Sequence, residues 1–171
     1  LVELDFKKWD NYVDITLWPV INFEDVFGIM LPYPGSKGEI YIPKKIINLF
    51  QNKKDVSITC SADPLSLMLL PSPESIGIDI CFGSAQRLGV PLFYGGPHPA
   101  FLAAKRDYLR LMPGRIVGQS RDSIGKPCYR LALQTREQHI KKQKATSNIC
   151  TSQSLLANVV GFYCYYHGKN G

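Results

Sequence analysis

Three short apolar runs, separated by proline-punctuated segments, constrain the fold of this chain more than any other feature. Val26 to Leu31 (VFGIML), Val56 to Ser61 (VSITCS) and Ile76 to Phe82, which carries IDICF, each suit a buried strand. The first is closed by Pro32-Tyr33-Pro34-Gly35. Beyond it, Pro43 fits the first position of a helix whose apolar stripe is Ile46, Ile47, Leu49 and Phe50. After the second run, Pro64 opens a helix that buries Leu65, Leu67, Met68 and Leu69 and is stopped by Pro71 and Pro73. Strands alternating with helices at this spacing predict an α/β fold, a mostly parallel sheet with flanking helices. Such sheets bind ligands at the C-terminal ends of their strands, where Asp63 and the loop from Gly83 fall.

The remaining segments add little chemistry of their own. Residues 1–25 mix charge with Trp9, Trp18 and Pro19, fit neither period, and read as an irregular N-terminal segment. Gly83 to Pro99 is unusual for Gly95-Gly96-Pro97, which permits a sharp turn and a close backbone approach and serves equally as a tight connection between strands. A basic helix is expected over 105–112, before Pro113-Gly114, and a hairpin over Arg115–Gln119 and Cys128–Leu133 with its turn at Ser123-Ile124-Gly125. The clearest helix spans about 152–167. Leu155, Leu156, Val159, Val160 and Tyr163 recur at helical spacing, with Thr151 as its cap and Gly168 as its end. That stripe is core or interface. One domain over 26–168, followed by a tail at 169–171, accounts for the pattern.

Composition excludes several classes. With 45% hydrophobic residues in 171, the chain is globular, and no apolar run approaches the roughly 18 residues of a membrane span. Leu1 stands where a Met would start a complete chain and no targeting segment is visible, so a fragment is expected. The net charge of +6 is uneven: eleven Lys and Arg lie between Lys105 and Lys144, against Asp107, Asp122 and Glu137. Such a field suits nucleic acid, an acidic protein or a phosphate-bearing ligand. The zinc spacings and aromatic strings of nucleic-acid readers are missing, which argues against the first. Five cysteines at irregular spacing form neither a metal set nor a disulfide framework, and Cys150, in a polar turn, is the one to watch for reactivity.

Leu131 to Thr151 (LALQTREQHIKKQKATSNICT) concentrates the polar chemistry. Thr135 and Gln138 have capping-box spacing, which predicts a short basic helix over about 136–144, then a polar turn. On composition alone this is a solvated basic face. No nucleophile elbow, P-loop, dinucleotide fingerprint or zinc-binding helix occurs. Of the three histidines, His98 and His139 are placed for function, while His167 sits at a helix end. Asp63 reads by default as the cap of the helix from Pro64, and alternatively as a carboxylate for a cationic ligand nitrogen.

The strings VFGIMLPYPGSKGEI, CSADPLSLMLLPSP, GIDICFGSAQRLGVPLFYGGPHPAFLAA, RLMPGRIVG and LALQTREQHIKKQKATSNICTSQSLLANVVGFYCYYHG, in this order, resemble the glycine cleavage system P-protein family. These are pyridoxal-phosphate-dependent glycine decarboxylases. The resemblance covers residues 26–168, with Ser61-Ala62-Asp63-Pro64 replacing the usual Ala-Thr-Asp-Leu and one residue lost near Tyr41-Ile42-Pro43. It implies the N-terminal half of that enzyme and part of the large domain of an aspartate-aminotransferase-like transferase of fold type I. In the implied reaction glycine's amine replaces an enzyme lysine on pyridoxal phosphate, carbon dioxide leaves, and the aminomethyl group passes to the lipoyl arm of H-protein. The cofactor lysine belongs to the C-terminal half and is absent here. By likeness between the halves, Gln86 and Arg87 stand where that lysine would be, and Asp63 where a carboxylate pairs with the pyridine nitrogen.

The expected role is one wall of an active site between lobes, with His98, Arg136, Thr146, Ser147, Asn148 and Thr151 as its candidates and no metal. The turn before a helix N-terminus suits a phosphate or carboxylate. Implied partners are the C-terminal half of the P-protein or a second P-protein chain, lipoylated H-protein and glycine, without membrane or nucleic acid. The implied compartment is the mitochondrial matrix, or a bacterial cytoplasm. Two other readings stand beside this one: a non-catalytic remnant that binds a full-length partner, and a basic nucleic-acid-binding module.

Overall fold

The computed structural model describes residues 24–170 other than 39, 41–43, 54, 134–137 and 146–150. Its centre is a four-stranded sheet in the order β1 (Gly28–Tyr33), β2 (Ser57–Ala62), β3 (Ile80–Ser84) and β4 (Ala100–Ala104). The first three strands run parallel, and β4 closes the edge antiparallel to β3. Strict alternation on β1 and β2 buries Ile29, Leu31 and Tyr33 beside Ile58, Cys60 and Ala62. Helix α1 (Lys44–Phe50) covers this face with Ile46, Ile47 and Phe50. Leu49, placed in the stripe by its spacing, instead lies on the solvent side. Pro43, the expected helix opener, lies outside the described residues.

Several expectations need correction. Strand β1 does not stop at Pro32. It continues to Tyr33, which is 3% exposed, and the Tyr33 hydroxyl donates to the Pro71 carbonyl at 3.2 Å. Among the described residues β1 pairs on the β2 side alone, which leaves the Pro32 nitrogen without a ladder partner to lose. The helix expected from Pro64 is a single 3-10 turn, Ser66–Met68. Leu67 and Leu70 pack on the core, whereas Met68 and Leu69 are exposed, since so short a turn has no continuous apolar face. The basic helix expected over 105–112 reduces to a 3-10 turn at Arg106–Tyr108. Strand β4 has no counterpart in the sequence reading. It follows the Gly95-Gly96-Pro97 turn and carries the small residues Ala100, Ala103 and Ala104.

Beyond the sheet, β5 (Ile116–Arg121) and β6 (Pro127–Leu133) form the expected antiparallel hairpin. A short helix α2 (Gln138–Lys141) and a 3-10 turn (Lys142–Lys144) occupy part of the expected basic helix, whose Thr135 lies outside the described residues. Helix α3 (Ser154–His167) ends at Gly168 as expected, but it starts too late for Thr151 to cap it. Gln153 takes the cap position without a side-chain bond, and the Thr151 carbonyl accepts from the Ser154 N–H in the turn before it. Leu156, Val159, Val160 and Tyr163 are half-buried, while Leu155, Phe162 and Tyr166 are exposed, so α3 carries an exposed apolar face beside its half-buried one. No described helix is long and apolar enough to cross a membrane.

Of the described cysteines, Cys60 and Cys81 are buried neighbours on β2 and β3, Cys128 is half-buried and Cys164 exposed. Cys150 lies outside the described residues. Burial, and then the hydrogen bond with Cys81, push the Cys60 thiol up to about 12 from an ordinary 9.0. Burial also raises the Tyr33 phenol, with Cys60 adding to it. In both cases the folded state disfavours the anion. The Cys60 contribution is fully present below the unfolded value and is lost as pH rises from about 9 towards 12, and that of Tyr33 is lost on the same alkaline side. Urea-unfolding stability is expected to fall across that window, with a shallower decline in Cys60→Ala than in the parent chain.

Candidate functional site

The C-terminal ends of β1, β2 and β3 and the start of antiparallel β4 share one edge of the sheet. Ala62 is the last core residue of β2, so the chain leaves the core at Asp63. Four backbone-directed bonds hold that residue. Its N–H donates to the Tyr33 carbonyl at 3.3 Å, Oδ1 accepts from the Leu65 N–H at 3.0 Å, and its carbonyl accepts from Ser66 Oγ at 2.7 Å and from the Leu67 N–H at 3.3 Å. Asp63 therefore does not cap a helix: the 3-10 turn has Leu65 at its cap without a side-chain bond, and the Asp63 carboxylate closes the tight turn before it. Oδ2 does something else: it accepts from the guanidinium of Arg87.

Arg87 comes from the turn after β3. Ala85 and Val90 anchor that turn in the core, and the Ala85 N–H donates to the Pro99 carbonyl at 2.9 Å, tying it to the chain entering β4. Within the turn the Leu88 N–H donates to Ala85 and the Val90 N–H to Gln86. Gly89 has φ +80, and a Cβ there would meet the ring of Tyr163 at 2.3 Å, so α3 holds the turn from its far side. Gln86 faces the glycine turn: a Cβ on Gly96 would lie 3.9 Å from its Nε2. That amide nitrogen is buried and has no hydrogen-bond partner among the described residues. His98 closes the same turn, with Nδ1 2.9 Å from the Gly96 carbonyl.

The structure thus gathers four of the anticipated residues, Asp63, Gln86, Arg87 and His98, along one rim. Asp63 and Arg87 touch; His98 joins through Gly96 and contacts neither. Thr151 is exposed before α3. Arg136, Thr146, Ser147 and Asn148 lie outside the described residues, and so does most of the run that surrounds them. The sequence reading missed Asp79, whose Oδ2 accepts from the Ile58 N–H at 2.8 Å and whose Oδ1 accepts from Lys105 Nζ at 2.8 Å. It joins β2 to the chain leaving β4, a structural task. It also missed that Asp63 and Arg87 pair. The available signal was two opposite charges, each placed just after a parallel strand.

Comparison with known proteins adds a family. The model of the family described as glycine cleavage system P-protein matches residues 8–171, beginning within the segment read as irregular. A glycine dehydrogenase (decarboxylating) of Gluconobacter oxydans is 54% identical over 151 residues, covering 88% of this chain and 16% of its own length. A second, from Colwellia psychrerythraea, is 53% identical over 86% of this chain and 15% of its own. The chain thus spans only about a sixth of these relatives. Among solved structures, glycine decarboxylase (P-protein) of the glycine cleavage system in inhibitor-bound form superposes with a TM-score of 0.77 at 35% identity, over 86% of this chain and 34% of that one. The fold is therefore α/β, part of the large domain of the aspartate-aminotransferase-like, fold type I class.

The rim geometry makes a quantitative prediction. The Arg87 side chain is 64% exposed and that of Asp63 22%, so their coupling in a double-mutant cycle is expected to stay at or below about 1 kcal/mol. Asp63→Ala also removes the acceptor for the Leu65 N–H, and in urea unfolding it should cost about 1 kcal/mol more than Arg87→Ala.

Proposed function

The chain belongs to the glycine cleavage system P-protein family, and on that premise we propose that it is one lobe of a glycine decarboxylase and works only beside a lysine-bearing partner lobe. The observation that carries the reading is the composition of the rim where this fold class holds its ligand. Asp63 is already engaged by Arg87, and the turn after β3 offers Gln86 and Arg87 but no lysine. Pyridoxal phosphate does not fit such a site as the residues stand, because no amine is available there to hold it and the carboxylate suited to its ring nitrogen is neutralised.

The cofactor then belongs to the complementary half, the C-terminal half of the P-protein or a second P-protein chain. There it supplies the electron sink for loss of carbon dioxide from glycine, before the aminomethyl group passes to lipoylated H-protein. This chain contributes a wall. His98 and Arg136 supply positive charge, and Thr146, Ser147, Asn148 and Thr151 supply hydroxyl and amide groups ahead of α3 for a carboxylate or phosphate. The unit that does this is residues 26–168. The compartment we assign is the mitochondrial matrix, or the cytoplasm in a bacterial source; the relatives compared above are bacterial.

Mixing this chain with the complementary half, pyridoxal phosphate, glycine and lipoylated H-protein tests the reading. Glycine-dependent release of carbon dioxide is expected only when both chains are present. A complex that forms without turnover favours the non-catalytic remnant instead.

A further inference from the structure

We propose that Cys60 and Cys81 form a buried two-thiol site for a thiophilic divalent cation that accepts linear two-coordination, the class of mercury(II), which staples β2 to β3. The site stands apart from the reading above, since neither cysteine lies on the rim.

The sheet itself sets the pair. Cys60 and Cys81 are registered partners on parallel strands, so their side chains leave the same face at the spacing of neighbouring strands, about 4.7–4.9 Å. Both are buried, at 1% and 6% exposure, and their thiols share a hydrogen bond. Two metal–thiolate bonds of about 2.3 Å, laid end to end, span about 4.6 Å. A disulfide needs its Cβ atoms closer, about 3.8 Å apart. A cation in the place of the shared proton therefore matches the strand spacing better than a sulfur–sulfur bond does.

The surroundings decide which cation. Among the described residues no group of three His, Cys, Asp or Glu side chains could hold a metal, so the four ligands that zinc takes are not at hand. The neighbours are apolar: Leu31 is the β1 partner of Cys60, and no polar or charged residue is buried among the described ones. A monovalent cation on two thiolates leaves a net negative charge, which such a core disfavours. A divalent cation leaves none. Two S–H bonds break, two S–metal bonds form, both protons pass to solvent, and no atom changes oxidation state. Entry has a route past Ala103, the small exposed residue that pairs with Cys81 from β4. Because burial keeps the Cys60 thiol protonated, uptake is slow and quickens as the sheet edge opens.

The test adds mercury(II) chloride, then excess 2-mercaptoethanol, to the chain carrying Cys128→Ala, Cys150→Ala and Cys164→Ala. Intact mass is expected to rise by one mercury less two protons, with no mercaptoethanol attached, and the urea midpoint to rise with it. A further Cys60→Ala or Cys81→Ala should leave mercury capped by one mercaptoethanol and the midpoint unmoved. Zinc chloride should leave the midpoint of the three-alanine chain unmoved. The unsubstituted chain, its outer thiols carrying capped mercury, should show the same rise, which guards against a folding defect in the variants. No uptake, a mercaptoethanol cap on Cys60 or Cys81 when both are present, a midpoint that falls or stays on loading with mercury, or one that zinc raises, overturns the proposal.

Discussion

The alternation of β2 sets the position of everything at the rim. Ile58, Cys60 and Ala62 point into the core, and Ser57, Thr59 and Ser61 point away from it. Because a one-residue slip would turn every side chain to the other face, burial of these three fixes the register of β2 against both β1 and β3. Asp63 is consequently the first residue to emerge past the last buried position, beside Tyr33 at the end of β1. The same register brings Ser84, at the end of β3, and the turn after it to the same edge. Gly83 allows this close approach, since a Cβ there would lie 2.1 Å from the Ala62 carbonyl oxygen.

Two consequences follow for the chemistry. A carboxylate held by backbone bonds at the end of a parallel strand is suited to meet a cation, and here a side chain from the neighbouring strand end meets it first. The rim is thereby ordered and electrically balanced without any ligand. Among its described residues the turn after β3 offers Gln86 and Arg87 rather than a lysine. An enzyme built from two lobes of this fold can assign the cofactor to one of them and use the other as a wall. His98, beside the glycine turn, and α3, which packs Tyr163 over Gly89 and leaves Leu155, Phe162 and Tyr166 exposed, suit a lobe that shares its surfaces with another.

Much of the fold was legible in the sequence because burial leaves a period. The three parallel strands, the α1 stripe, the hairpin and α3 all declared themselves through apolar spacing or turn residues. The failures share a physical cause, which is shortness. Between Pro64 and Pro71 the chain has room for one turn, so its leucines and methionine cannot form a stripe, and the segment before Pro113 is cut to a single turn in the same way. Strand β4 escaped notice because alanine-rich AFLAA has no alternation to read. Its pairing comes from the glycine turn and from β3 beside it. For the site, residue types and strand ends placed Asp63, Gln86, Arg87 and His98 on one rim. That Asp63 and Arg87 satisfy each other was signalled only by opposite charges after neighbouring strands, since a side-chain pair across separate turns leaves no spacing in the sequence.

The central claim is that this lobe holds no pyridoxal phosphate of its own. Equilibrium dialysis of the cofactor against this chain, the complementary half and their mixture, followed by borohydride reduction and peptide mapping, addresses it most directly. The account predicts one cofactor retained per pair, with the reduced label on a lysine of the complementary half and none on this chain. Saturable retention by this chain alone, with label on one of its own lysines, would contradict it.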